Sequence, residues 1–257
     1  MKQIYIICLC LILSTYIQAQ EKPPKGKFFI EAAIGGEATV SSPSANNLAG
    51  FLLKDGNRDA GVLLRIQHFL SDNWGYFLTA QFYESDGYYD LPQKIQPDRD
   101  KYYTVNNRYE ANKGSSENYL AGGIYRIDFR RFSIRPYFGI GVSKVKTDIH
   151  SFDLKGKGNN EVLKSVYAMN DKKITSFCAS PGLNLVWKVG TGIHFFGDVS
   201  YIHHFGSYKA THTVTDGYTG KQIKEESQKA SLPNLLSIKV GISIPLWKYS
   251  GNYRKRK

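Results

Sequence analysis

The sequence predicts an all-β protein: an eight-stranded antiparallel up-and-down transmembrane β-barrel, with short turns at one end and long loops at the other. Three observations predict it. Eight segments alternate apolar and polar residues at period two, the signature of strands with one greasy face. The connections between them run long, short, long, short, long, short, long, as they do where short turns lie on one side of a membrane and long loops on the other. An export segment precedes the first strand.

The last strand, 234–247, carries the pattern most cleanly. Leu236, Ile238, Val240, Ile242, Ile244 and Leu246 fall on one face, and Leu235, Ser237, Lys239, Gly241, Ser243 and Pro245 on the other. Such a strand needs an apolar solvent on one side and a crowded polar space on the other, which lipid and lumen supply. The N-terminus gives the route there. Met1-Lys2 is a short positive region, 4–13 an apolar core, and Ile17-Gln18-Ala19 a small-residue end, so a signal peptide over 1–19 is expected, cleaved between Ala19 and Gln20. Cys8 and Cys10 leave with it, and the single remaining Cys178 has no partner for an internal disulfide. Past Gln20 no apolar run reaches the length of a transmembrane helix. The 18 Tyr and 24 Gly against 2 Met favour strands over helices.

In chain order, a Pro- and Lys-rich leader (20–27) leads into the barrel (28–247), and a basic tail (248–257) follows it. Strand one, about 28–40, sets Ile30, Ala32 and Ile34 against Glu31, Ala33, Gly35 and Glu37. A polar connection, 41–57, leads to strand two (about 60–70), where Val62, Leu64 and Ile66 alternate with Leu63, Arg65 and Gln67. Ser71-Asp72-Asn73 is a tight turn into strand three, about 74–84. A long Asp-, Asn-, Tyr- and Pro-bearing loop, 85–116, precedes strand four (117–129), and Arg130-Arg131 turns into strand five (132–146). A second long loop, 148–173, leads to strand six (174–188), where Pro181 removes a ladder donor and predicts a bulge. Val189-Gly190-Thr191 turns into strand seven (192–205), and a third long loop, 206–232, reaches strand eight.

Turned inside out, these strands would make a soluble lipocalin-like ligand-binding barrel. Trp74, Tyr76, Tyr119, Phe138, Trp187 and Tyr201 would then crowd an interior that eight strands leave just wide enough for side chains. Gly75, Gly122, Gly139, Gly141, Gly182 and Gly241 lie on the opposite face, so the small residues suit the inside. The charges there, Glu31, Arg65, Arg126, Asp128, Arg135, Asp198 and Lys239, are expected to neutralise one another as a lumen network. Aromatic residues cluster at both strand ends, as interfacial belts do.

On these patterns the chain resembles the small eight-stranded outer-membrane barrels: the OmpA transmembrane domain, OmpX and the PorT-like outer-membrane β-barrel family. Arg135-Pro136-Tyr137-Phe138-Gly139-Ile140-Gly141-Val142 is similar to a Pro-Tyr-x-Gly-x-Gly strand common among them, and 239–246 to their C-terminal assembly signal, although ten residues follow Trp247. The resemblance implies an outer-membrane location, outer-membrane lipids as surroundings, and recognition of the last strand by the barrel assembly machinery.

The net charge of +12 gathers at the short-turn end and in Lys248, Arg254, Lys255, Arg256 and Lys257, while the long loops nearly cancel. That distribution rings one barrel end and offers no nucleic-acid groove; the expected contact is anionic headgroups of the inner leaflet or another periplasmic polyanion, with a solvated tail as the equal alternative. Chemistry finds little support. Asp55-Gly-Asn57-Arg-Asp59-Ala60 lacks the Gly and Glu of a calcium loop and reads as a turn. His194 and Asp198 lie about 13 Å apart along one strand, beyond the reach of a triad with Ser200. His203, His204 and Ser207, with Glu225 or Glu226, give the alternative of a PagL-like lipid A deacylase, without that family's His-x-Ser spacing. No cofactor or metal motif is present. The favoured expectation is a non-enzymatic surface protein acting through its long loops, with Tyr88, Tyr89, Tyr102, Tyr103 and Tyr109 as the candidate contact residues.

Overall fold

The structure is a computed structural model that describes residues 28–41, 59–85, 102–110, 114–146, 150–158, 160–169, 173–189 and 192–246. The expected signal peptide, leader and basic tail lie outside the described residues, as do Tyr88, Tyr89 and most of the Asp55–Ala60 turn.

Fourteen strands are present among the described residues: β1 (Phe28–Ser41), β2 (Asp59–Phe69), β3 (Trp74–Ser85), β4 (Tyr103–Glu110), β5 (Gly114–Tyr125), β6 (Ile127–Asp128), β7 (Phe132–Lys146), β8 (His150–Gly156), β9 (Val162–Met169), β10 (Lys173–Lys188), β11 (His194–His204), β12 (Ser207–Asp216), β13 (Gln222–Ser231) and β14 (Asn234–Pro245). Eight of them, β1-β2-β3-β5-β7-β10-β11-β14, pair antiparallel in chain order, and β14 returns to β1 to close the ring. The seam is long, running from Phe29 opposite Pro245 to Ser41 opposite Asn234.

The alternation read from sequence sorts residues as a membrane barrel requires. Ile34, Leu64, Leu78, Ile140 and Val240 are exposed on the outer face, while Glu31, Arg65, Arg135, Asp198 and Lys239 are buried inside. The contrast is sharp on one strand: Val240 is 61% exposed and Lys239 only 1%. Trp74, Tyr76, Tyr119, Phe138 and Trp187 all stand outside. Aromatic side chains form two outer rows, Trp74, Tyr76, Phe132 and Trp187 near the short turns and Phe82, Tyr119, Phe177 and Phe205 toward the other end. Eight residues separate Trp74 from Phe82, about 27 Å along the strand and about 20 Å along the normal for strands tilted near 40°. This is the geometry of an apolar band flanked by aromatic girdles.

Strand packing is tight where glycine permits it. A Cβ on Gly141 would overlap the carbonyl oxygen of Tyr119, so β7 approaches β5 there only because no side chain intervenes. The short turns are fixed locally: Ser71 N–H donates to the Trp74 carbonyl at 3.2 Å, and Trp74 N–H donates to Ser71 Oγ at 3.0 Å.

Three expectations need correction. The stretches 85–116, 148–173 and 206–232 are not wholly loops. They contain β4, the β8–β9 hairpin and the β12–β13 hairpin, which pair into a second, five-stranded antiparallel sheet in the order β13-β12-β9-β8-β4. Their polar content masked strands whose backbone bonds are satisfied by one another. Pro181 makes no bulge. Pairing with β11 lapses at Ser180 and Pro181 and resumes at Gly182 in the same register, while pairing with β7 runs through unbroken. The missing donor costs ladder contacts, not a residue of offset. Strand four is also interrupted: β5 ends at Tyr125, Arg126 N–H turns to the Asn73 carbonyl at 2.8 Å, and β6 rejoins β7 beyond it.

Candidate functional site

Two features stand out as sites: the filled lumen and the outer sheet.

The lumen is built from alternate residues of the barrel strands, which put Glu31, Arg65, Gln67, Arg135, Tyr137, Asn184 and Asp198 at neighbouring levels. Arg65 Nη1 lies 2.7 Å from Asp198 Oδ2 and 3.5 Å from Glu31 Oε2. Arg135 Nη1 lies 3.3 Å from Glu31 Oε1 and donates to Gln67 Oε1 at 2.8 Å. Tyr137 OH donates to Asp198 Oδ1 at 2.9 Å, Asn184 Nδ2 to Glu31 Oε2 at 3.0 Å, and Arg65 Nε to Thr79 Oγ1 at 3.1 Å. Both guanidinium planes also lie against rings, Arg65 over Tyr137 at 4.4 Å and Arg135 over Phe29 at 4.4 Å. Glu31, Arg65, Arg135 and Asp198 are all at most 1% exposed. Buried charges are tolerable when paired in this way, although Arg65 Nη2, Gln67 Nε2 and Asn184 Oδ1 are buried without a hydrogen-bond partner among the described residues.

Of the seven charged residues expected to share one network, four therefore meet. Lys239 stands opposite Asp198 in the β11–β14 ladder but makes its hydrogen bond one level on, donating to Ser237 Oγ, whose hydroxyl meets Tyr83 OH at 2.9 Å. Glu37 completes this second level, accepting from Ser116 Oγ at 3.4 Å. Arg126 and Asp128 form a separate lock at the short-turn mouth. Arg126 Nε lies 3.4 Å from Asp128 Oδ2, Nε and Nη2 donate to the Asp72 carbonyl, and Lys188 Nζ holds Asp128 Oδ1 at 2.9 Å. Arg126 stacks over Phe69 at 4.1 Å. Sequence reasoning missed Gln67, Tyr137, Ser237 and Glu37 as network members. Their signal was present: each lies two residues from a charged lumen residue or on the same inward face.

The outer sheet has one buried face, with Phe152, Leu154, Leu163, Tyr167 and Val214 packed as a cluster against which Tyr103 leans. Tyr103 OH donates to Glu161 Oε2 at 2.9 Å, which ties β4 to the β8–β9 hairpin. Tyr102 is exposed beside it. Tyr109 stands in β4 opposite Ser151. The structure thus separates the candidate tyrosines it describes: Tyr103 is engaged within the sheet, and Tyr102 faces outward.

One arrangement on this sheet has the order of a nucleophile, base and acid. Ser165 Oγ and His212 Nε2 are 2.9 Å apart, and His212 Nδ1 lies 3.8 Å from Glu226 Oε2. The imidazole stacks flat on Tyr167, with centroids 4.1 Å apart and planes at 4°. Ser165 is fully buried, so no substrate carbonyl reaches its oxygen in this conformation. Glu226 is held below the usual carboxylate range, first by its hydrogen bond from Lys224 and further by His212. The arrangement cements three neighbouring strands. His204, the centre of the deacylase alternative, is elsewhere: its ring nitrogens meet the Pro233 carbonyl at 2.7 Å and Ser143 Oγ at 3.0 Å, and Glu226 pairs with His212 instead. Among the described residues no group of three His, Cys, Asp or Glu side chains could hold a metal ion.

No protein-family model and no curated protein sequence matches the chain. Solved structures of small outer-membrane barrels do. A major outer membrane protein from Thermus thermophilus aligns with a TM-score of 0.45 at 13% identity, over 86% of this chain and 99% of that one. OprG from Pseudomonas aeruginosa aligns with a TM-score of 0.42 at 15% identity, over 86% and 97%. Ail, the attachment invasion locus protein of Yersinia pestis, aligns with a TM-score of 0.39 at 9% identity, over 86% and 99%.

Proposed function

We propose that this outer-membrane β-barrel is a non-enzymatic, non-conducting anchor that displays its five-stranded sheet at the cell surface for binding. The observation that carries the reading is the fusion of β4, β8–β9 and β12–β13 into one hydrogen-bonded sheet beyond the barrel end opposite the short turns. Independent loops would need no such pairing; a shared sheet holds a surface in one shape, and preorganised surfaces bind at lower entropic cost. The exposed strand β13 carries charges of both signs, Lys224, Glu225, Glu226 and Lys229, and the long connections nearly cancel in charge. Recognition of a neutral glycan or a protein surface fits this better than capture of a polyanion. Tyr102 is the best-placed contact, with Tyr88, Tyr89 and Tyr109 proposed beside it. The arginine and aromatic filling of the lumen supports the non-conducting part of the reading. Strand β14 is the proposed contact for the barrel assembly machinery.

The test compares cells displaying the intact protein with cells displaying a variant in which 150–169 and 207–231 are replaced by short turns. Both are checked for barrel closure by heat-dependent gel mobility. Adhesion to surfaces coated with neutral glycans or matrix proteins should be lost in the variant; equal adhesion would sink the reading. In planar bilayers the intact protein should conduct no more than bare lipid.

A further inference from the structure

The lipid-facing wall of β7, β10 and β11 is not smooth. Near the short turns it holds an open apolar groove of about 710 Å³, lined by Phe132, Ile134, Leu185, Trp187, Phe195 and Gly197 with Arg131 at its end. Register explains its shape. Phe132, Trp187 and Phe195 stand side by side across the three strands, and the next row inward is Ile134, Leu185 and Gly197. Gly197 takes an outward position between the exposed Phe195 and Val199, and space for a side chain there is empty. The missing side chain leaves a notch roofed by aromatic rings at interfacial depth.

The rim is basic. Arg131 and Arg130 are both exposed, and the carbonyl of Arg131 is pinned by Lys188 N–H at 2.8 Å, which fixes where its side chain begins. An apolar slot in the membrane, ending in a guanidinium at the headgroup level, matches one kind of molecule. We infer that this groove is a binding site for a single anionic glycerophospholipid of the leaflet on the short-turn side, with an acyl chain lying in the Gly197 notch and the phosphate on Arg131. A guanidinium pairs with phosphate oxygens through two parallel donors, and the exposed Arg130 and Arg131 repel a zwitterion's ammonium, which favours a headgroup of net negative charge.

The test uses the full-length protein reconstituted in phosphatidylcholine vesicles with spin-labelled phosphatidylglycerol or phosphatidylcholine, reading the motionally restricted lipid fraction. Phosphatidylglycerol should be preferred about fivefold at low salt, the effect of roughly one basic side chain at a membrane surface. Arg131→Gln should bring the ratio near one. Gly197→Leu keeps every charge and fills only open space, so general surface attraction predicts no change, whereas an occupied notch predicts loss of the preferred fraction. Equal retention of the two lipids by the intact protein would overturn the inference. So would an unchanged preference in Gly197→Leu, or stronger retention of lipid A than of phosphatidylglycerol.

Discussion

Replacing Asp198 with alanine removes the closest partner of Arg65, an ion pair at 2.7 Å between groups at most 1% exposed. At an effective dielectric near 20, unit charges at that separation attract by about 6 kcal/mol, most of it offset by desolvation. What the substitution leaves behind decides the outcome. The only carboxylate left to Arg65 is Glu31, at 3.5 Å and already shared with Arg135. Tyr137 OH loses its acceptor. Arg65, Arg135 and Lys239 then face Glu31 and Glu37 alone, so the buried balance turns positive. Removing one partner of a buried pair costs about 3–5 kcal/mol. Urea titration of the protein in detergent micelles, followed by tryptophan emission and heat-dependent gel mobility, should show a loss of that size. Arg65→Met in the Asp198→Ala background should restore part of it, because no uncompensated charge remains. A single substitution within about 1 kcal/mol of the parent would refute the reasoning and mean that water reaches these groups.

Three further outcomes follow from the same contacts. Gly141→Ala should cost about 1–3 kcal/mol, because its methyl meets the Tyr119 carbonyl, whereas Gly123→Ala, into open space, should leave the urea midpoint nearly unchanged. Tyr103→Phe should loosen β4 from the outer sheet by about 1 kcal/mol, read as faster amide exchange in β4 and β8 with no change in the barrel. Asp216 accepts hydrogen bonds from the N–H and hydroxyl of Thr219 and from Tyr218 N–H, and the Thr219 backbone bond foremost holds its pKa below the usual value. A depressed carboxylate stabilises fully above its unfolded pKa and loses that contribution as pH falls through the folded one. Protection of the Tyr218 and Thr219 amides should therefore persist through mildly acidic pH and fail only in strong acid, while Asp216→Ala should lack it at every pH.

The barrel was legible because each wall strand reports its two solvents residue by residue. Val240 beside Lys239, or Leu64 beside Arg65, can satisfy both neighbours only in a wall between lipid and a polar interior. The outer sheet was harder. In β12 the residues Tyr208, Ala210, His212 and Val214 do alternate, but small and polar neighbours dilute the signal. In β13 nothing alternates: Gln-Ile-Lys-Glu-Glu-Ser-Gln-Lys-Ala-Ser is exposed along most of its length and is placed by its ladder with β12. A strand defined by its neighbour's backbone leaves no hydrophobic period to read. The same limit applies to partners inside the lumen. That Arg65 and Asp198 are both inward is written in their strands, but that they touch depends on the register around the closed ring.

The seam between β1 and β14 also dictates when this molecule can become itself. Phe29 pairs with Pro245 across nearly the whole described chain, whereas Phe69 and Gly75 meet over one tight turn. Loop-closure entropy makes the seam about 3 kcal/mol harder to bring together than that turn. Hairpins can therefore zip early, but the ring waits for its last strand. Until then both edges stay open, each offering a row of unpaired backbone groups to any neighbouring chain. The unfinished protein is sticky by construction, and its survival before closure is a matter of escort and timing.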